Sequence, residues 1–290
     1  MLEMILINGL VFGGQFAILA VGFSLVFGVA KILNMAHTAF YMIAAILLYL
    51  GTRKLGLSAL TAAILAPLIA GMMGMVCYKL FFDRIKEHQT AVMIIAIALA
   101  MLFQEVFLIG LTGEYRGVAL FTPGSFEIAG VAVLYQHLYS IGISLVMIVG
   151  VWIMLRATKL GKAIRAVAED REIANLMGIN VSQVSLIVMG ISTALAGVAG
   201  IAVAPIFMVH PLMWVHPMII VLAVVVLGGL QSIKGSIIAA FILGFAEVLV
   251  ISLIPKGSFL RGAVSLSVMA VVLMLRPEGL FGIVFEEERL

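Results

Sequence analysis

The chain is short of charge and almost empty of cysteine. Only 31 of its 290 residues are Asp, Glu, Lys or Arg. That is 11%, against the roughly 25% of an ordinary globular domain. A soluble surface cannot be covered with so few charges when 64% of the residues are hydrophobic and the mean hydropathy is +1.27. The single cysteine, Cys77, excludes an intramolecular disulfide and a cysteine-based metal cluster. It sits in an apolar run and reads as a packing residue. No GxxxxGK[ST], HExxH or GxSxG motif occurs, so no ATP-hydrolysing or hydrolase site is expected. His37, His88, His137, His210 and His216 show no metal-ligand spacing on any one helix. The net charge of +3 comes from cations in short loops and gives no footprint for nucleic acid.

What is present is a series of apolar runs. Each approaches the ~20 residues that carry a helix across a ~30 Å hydrocarbon core. They are continuous rather than alternating, which argues against a β-barrel. The expected fold is all-α: a polytopic integral membrane protein with eight to nine transmembrane helices, some interrupted, forming a single transmembrane domain over residues 1–290. The spans are read at residues 4–30, 38–50, 57–82, 90–111, 137–155, 184–204, 218–230, 236–254 and 262–275. The first has no basic region or small-residue cleavage site before it and is expected to be retained. The second is short, and reads as a half-helix or as a span that begins within the preceding polar break. Residues 112–136 read as a mixed loop. Gly9-xxx-Gly13 and the stripe Ala194, Gly197, Gly200, Ala204 suit close helix packing. Trp214 fits an interfacial anchor.

One polar island stands out at residues 156–185, with eight charged side chains in 30 positions. Residues 159–168 alternate cations and apolar residues as an amphipathic helix does. Asp170 is placed to cap a second short helix over 171–177, and Gly178 followed by Ile179 suits a Schellman ending. The apolar face formed by Ile164, Val167, Ile173, Leu176 and Met177 needs cover, from lipid headgroups or from a soluble partner.

With nine spans and the N-terminus outside, 12 of the 17 cations fall on the side of the island and five on the other. The positive-inside rule then puts the island in the cytoplasm. Two polar breaks echo each other on that side, KILNMAH (31–37) and GGLQSIKG (228–235). Paired interruptions point to a transport pathway, although any two loop-to-span junctions look somewhat alike. Within the spans, Gln15, Gln104, Glu105 and Glu247 are the expensive groups, together with Asn34 and His37 at the first break. They read either as the lining of a solute path or as interhelical hydrogen bonds and a cap.

Three segments carry a family resemblance: AILAVGFSLVFGVAKILNMAH (17–37), LGKAIRAVAEDREIANLMGINVSQV (160–184) with ALAGVAGIAVAP (194–205), and VVLGGLQSIKGSIIAA. In that order and spacing they resemble the permease subunits of branched-chain amino acid ABC transporters, of the LivH type. The resemblance implies a non-enzymatic transport subunit that binds no cofactor itself, with ATP bound by partner subunits. It implies as partners two ABC ATPase subunits, a LivM-type permease subunit and a periplasmic solute-binding protein, besides membrane lipid. It implies a bacterial inner-membrane location, with the N-terminus periplasmic and the C-terminus cytoplasmic. The segment 160–184 matches the ATPase-contacting loop, so Leu160, Ile164, Arg165, Val167, Glu169, Asp170, Ile173, Leu176 and Gly178 are its expected coupling residues. Gln15, Asn34, His37, Gln104, Glu105 and Glu247 are the expected path residues. After His37 the chain has Thr38 and Ala39 where the family usually has Gly and an acid, which leaves open which solute is carried. An ion-coupled secondary amino acid transporter is the alternative; it would need no ATPase.

Overall fold

The computed structural model describes residues 2–128, 131–255, 257–276 and 278–281. The acidic tail at 286–288, Arg289 and Lys256 lie outside the described residues. Eleven helices follow in order: α1 (Leu2–Ala30), α2 (His37–Arg53), α3 (Ala59–Cys77), α4 (Gln89–Leu111), α5 (Tyr135–Ala157), α6 (Lys159–Glu169), α7 (Arg171–Leu176), α8 (Val181–Val203), α9 (Val215–Gly228), α10 (Ile233–Leu253) and α11 (Arg261–Leu275). A π-turn, Tyr78–Phe82, extends α3, and a 3-10 turn, Gly257–Leu260, precedes α11. The stretch expected as a mixed loop contains a small antiparallel hairpin, β1 (Ser125–Ile128) with β2 (Val131–Leu134). Among the described residues the fold is therefore all-α apart from this hairpin. Period-2 alternation over only four residues a side is too weak to read.

Among the described residues, six helices are long and apolar enough to cross a membrane: α1, α3 with its π-turn, α4, α5, α8 and α10. The other apolar helices are short, with 17 residues in α2, 14 in α9 and 15 in α11. At 1.5 Å per residue, α9 covers only about 21 Å. Length alone therefore supports six crossings, and the expected eight to nine would need two or all three of the short helices as well.

Capping decides several boundaries. Ser58, Thr158, Asn180 and Ser232 each accept a backbone N–H three residues on. This satisfies donors that a helix start leaves open. Two helices form the centre: α1 is 83% buried over its most apolar window and α8 72%, against 22% for α4 and 17% for α5. The outer helices thus present apolar side chains outward, as a lipid-facing layer does.

The centre is held by close backbone approach. A Cβ at Gly200 of α8 would lie 2.2 Å from the Tyr41 carbonyl oxygen of α2, and one at Gly244 of α10 would lie 2.6 Å from the Gly13 nitrogen of α1. Only glycine fits such contacts. In the Gly9-xxx-Gly13 motif, the rings of Phe245 and Phe241 from α10 lie over the two glycines.

Both expected breaks are real. Lys31 closes α1 in the left-handed region at φ 56°, and the chain turns back before α2 begins at His37. His37 Nε2 lies 3.0 Å from the Leu19 carbonyl oxygen. Leu19 is 11 residues before the end of α1, so α2 starts roughly 16 Å inside the bundle. Residues 31–36 therefore re-enter. The second break follows Gly228, with Gly229 at φ 98°. The two breaks, 200 residues apart, meet: Lys31 Nζ donates to Gln231 Oε1 at 3.0 Å. The adjoining helices are joined by Ser24 and Ser236, whose hydroxyls are 2.9 Å apart.

Candidate solute path and coupling surface

The first polar cluster is built around the α1–α2 break. Asn34 is 2% exposed and His37 1%. Asn34 Oδ1 accepts from Ala36 N at 3.0 Å and closes the turn, while its Nδ2 points to Met189 Sδ at 3.5 Å. His37 lies between α1 and α8, with Nε2 toward the Leu19 carbonyl and Nδ1 3.3 Å from Ser192 Oγ. A carbonyl only accepts, so the ring carries a proton on Nε2, and Nδ1 stands beside a Ser192 hydroxyl whose one proton goes to a backbone carbonyl. The Ser192 hydroxyl also lies 2.8 Å from the Gly22 carbonyl oxygen. The arrangement ties the start of α2 to two helices. One turn further along α2, the Tyr41 hydroxyl accepts from Gln15 Nε2 at 3.2 Å. Gln15 Oε1 is buried with no partner among the described residues. Gln15 thus meets α2 one turn beyond His37, and Asn34 lies just before that helix begins.

The remaining expected path residues lie elsewhere. Gln104 and Glu105 sit on the peripheral helix α4. Gln104 Nε2 donates to Glu105 Oε1 at 3.1 Å and Gln104 Oε1 accepts from the Trp214 indole N–H at 2.9 Å. Glu105 is exposed on the apolar outer face of α4. Trp214, expected as an interfacial anchor, is 8% exposed and anchors a polar pair instead. Glu247 is fully buried at a third place, where Ser265 Oγ of α11 donates to its Oε1 at 3.0 Å. The six residues therefore form three clusters. They share apolar surroundings in the sequence, and only helix packing decides which of them meet.

A further seam was not anticipated. Gln136, Ser140 and Ser144 are buried on one face of α5. Ser140 Oγ donates to the Ala202 carbonyl at 2.5 Å, and Gln136 Nε2 donates to the same oxygen at 3.3 Å. Their spacing of four in an apolar helix was the available signal.

The island folds as two short helices. Asp170 Oδ1 accepts from Glu172 N and Ile173 N, capping α7. Gly178, at φ 83°, ends it. Gly178 N donates to the Asn175 carbonyl and Ile179 N to the Ala174 carbonyl, the pair of bonds that defines the Schellman ending. Gly161 lets α6 turn back beneath α5, because a Cβ there would lie 2.3 Å from the Met154 carbonyl oxygen.

The expected apolar face is divided in two. Ile164 is 3% exposed and Val167 is fully buried, both packed into this chain's own core, with Leu160 half-buried beside them. They are not available to a partner. Arg165 is exposed but donates from Nη1 to the Leu155 carbonyl, serving the end of α5. Ile173, Leu176 and Met177 are 59%, 85% and 78% exposed. Glu169, Asp170 and Gly178 are exposed next to them. The free face is therefore that of α7. Beside it a cleft of ≈ 690 Å³ is lined by Arg171, Glu172 and Asn175 from α7, and by Lys86 and Glu87 from the α3–α4 turn.

The electrostatics here are local. Burial of Asp83 raises its carboxyl pKa. The hydrogen bonds and charges of Lys86 and Lys79, each 3.1 Å away, outweigh that and hold it below its ordinary value. Ser182 of α8 also donates to Asp83, at 3.2 Å. Burial, and then the charge of Arg171, push the Lys31 ammonium pKa down. Among the described residues, no group of three or more His, Cys, Asp or Glu is placed to hold a metal ion.

A family model described as branched-chain amino acid transport system / permease component matches residues 5–275. The BraD high-affinity branched-chain amino acid transport system permease protein of Pseudomonas aeruginosa is 25% identical, over 96% of this chain and 94% of its own. The LivH permease protein of the same description from Salmonella typhimurium is 27% identical, over 95% and 94%. Among solved structures, one titled PsaBC from Streptococcus pneumoniae in complex with Fab aligns with a TM-score of 0.52. Its identity is 16%, over 94% of this chain and 92% of that one, and it speaks to the fold alone.

Proposed function

Because the chain belongs to the family of branched-chain amino acid transport permeases, we propose that it is a membrane-spanning subunit of an ATP-binding cassette importer. The solute is a branched-chain amino acid or a related small molecule. Two separate ATPase subunits supply the energy, a related permease subunit completes the pore, and a solute-binding protein delivers the cargo from outside. The island face is cytoplasmic and the hairpin face external.

The single observation that carries this reading is α7. A capped six-residue helix with Ile173, Leu176 and Met177 turned outward does not stabilise its own chain. It is rigidly held all the same, by Asp170 at one end and Gly178 at the other. A rigid apolar knob beside a charged cleft suits insertion into a groove on a soluble partner. Displacement of α7 by closing ATPases reaches the pore through its neighbours. The charge of Arg171 contributes to lowering the Lys31 ammonium pKa, and Lys31 bonds Gln231. In this reading the two helix interruptions move with the docking helix during alternating access.

His37 is packed between α1 and α8, and in this reading α2 must move for a solute to pass it. Asn34, His37 and Gln15 become the lining of the path when α2 moves. The test is uptake by the assembled complex in proteoliposomes. Uptake should need internal ATP and the ATPase subunits. Uptake that survives ATP removal but stops without an ion gradient refutes the reading and favours an ion-coupled transporter.

A further inference from the structure

Among the described residues, three covered polar atoms without partners belong to side chains at the hairpin-face ends of α9, α10 and α11. They are Glu247 Oε2, His216 Nε2 and Arg261 Nε. Glu247 is fully buried, six residues before the end of α10. Among the described residues, its Oε1 accepts only from Ser265 and its Oε2 from nothing. A bare carboxylate oxygen in such a place is costly. His216, in the first turn of α9, points Nε2 at Glu247 Oε1 from 3.6 Å. That is too long for a formed hydrogen bond. The nitrogen is covered, yet 38% of the His216 side chain is exposed. The ring therefore stands between the exterior and the buried carboxyl.

The other charged groups around the site are few. Arg261 is the one that α11 contributes, and its guanidinium lies over the Phe12 ring of α1, 5.5 Å from the centroid. On the facing part of α1 stand Gly9, Phe12 and Gly13, none of them titratable, and Glu3 lies in the first turn. The described residues of the 3-10 turn before α11 are not titratable.

We propose that Glu247 and His216 form a proton-binding site that loads from the hairpin face. An external acid gives a proton to the exposed side of the His216 ring, and the proton on Nε2 passes to the Glu247 carboxylate. The ring is left neutral in its other tautomer, and the carboxylate becomes a neutral acid. One proton enters, one negative charge disappears from the bundle, and Oε1, the oxygen that faces the ring, gains an O–H. Loss of the proton reverses each step. The site joins one end of each of three helices, so its loading makes their packing depend on external pH. This inference does not rest on the transport reading.

The test is infrared difference spectroscopy on the purified full chain, comparing high and low pH. A protonated-carboxyl C=O band should appear as pH falls, and it should be lost in Glu247→Gln. In Ser265→Ala, which removes the hydroxyl bonded to Oε1, the band should remain and shift in frequency. This identifies it a second way should Glu247→Gln fail to fold. In His216→Phe the band should form more slowly after a pH jump. No band at any pH that keeps the chain folded, a band unchanged in Glu247→Gln, or one unmoved in Ser265→Ala overturns the proposal. An unaltered rate in His216→Phe overturns the role of the ring as the entry route.

Discussion

The division of the island into an inner and an outer apolar set makes opposite predictions for two similar substitutions. Val167→Asp places a charge where no side-chain surface is exposed. An isolated buried carboxylate costs several kcal/mol. The expected result is a chain that melts at lower temperature or fails to assemble in detergent, with or without a partner. Leu176→Asp acts where 85% of the side-chain surface is open. It should leave the melting temperature of the isolated chain unchanged. If Leu176 enters an ATPase groove, its loss removes roughly 1.5–3 kcal/mol of apolar burial. At 1.4 kcal/mol per tenfold, that weakens ATPase binding by roughly 10- to 150-fold. Two measurements separate the cases: thermal unfolding of the lone chain, and titration of the ATPase onto it in detergent. Leu176→Asp binding the ATPase normally, while Val167→Asp unfolds normally but loses the ATPase, would refute the assignment of α7 as the docking face.

Further expectations follow from packing and charge. Gly200→Ala drives a methyl to 2.2 Å from the Tyr41 carbonyl and should cost about 1–3 kcal/mol, read as a lower melting temperature. Gly28→Ala meets nothing within 4 Å and should be neutral, or stabilising by up to ~1 kcal/mol. Ser192→Ala removes the hydroxyl beside His37 Nδ1 and should cost about 1–3 kcal/mol of stability. It should also lower uptake, because the start of α2 loses one of its two anchors. The depressed pKa of Asp83 has a definite sign. Its stabilisation is fully present above the unfolded carboxyl pKa and is lost as pH falls through the lower folded value. Melting temperature should therefore drop on acidification through the carboxylate range, and Asp83→Asn should flatten that part of the drop.

Much of the site was legible because capping and breaking are local. Asp170, Gly178 and Ile179 announced α7 and its ending, and both take the expected bonds. The breaks at 31–37 and 228–235 were visible as polar interruptions, and Gly229 and Lys31 do turn the chain there. Two things were not legible. Ile164 and Val167 have the same chemistry as Ile173 and Leu176, and only the fold of α6 beneath α5 separates them. Glu105 and Glu247 are both single acids in apolar runs. One came to lie on an exposed face and the other in full burial, because α4 is peripheral while α10 packs against α1.

By itself the amino-acid order determined the membrane class, the positions of the interruptions and the two-helix form of the island. Each of these depends on hydrophobicity or hydrogen bonding within a few residues. Tertiary structure alone decided that the two interruptions touch, that α2 starts deep inside the bundle, and that Glu247 faces His216. Those depend on which helices lie together. Helix association in a bilayer rests on small-residue contacts and interhelical hydrogen bonds. The apolar pattern of any one span does not encode which partner it takes.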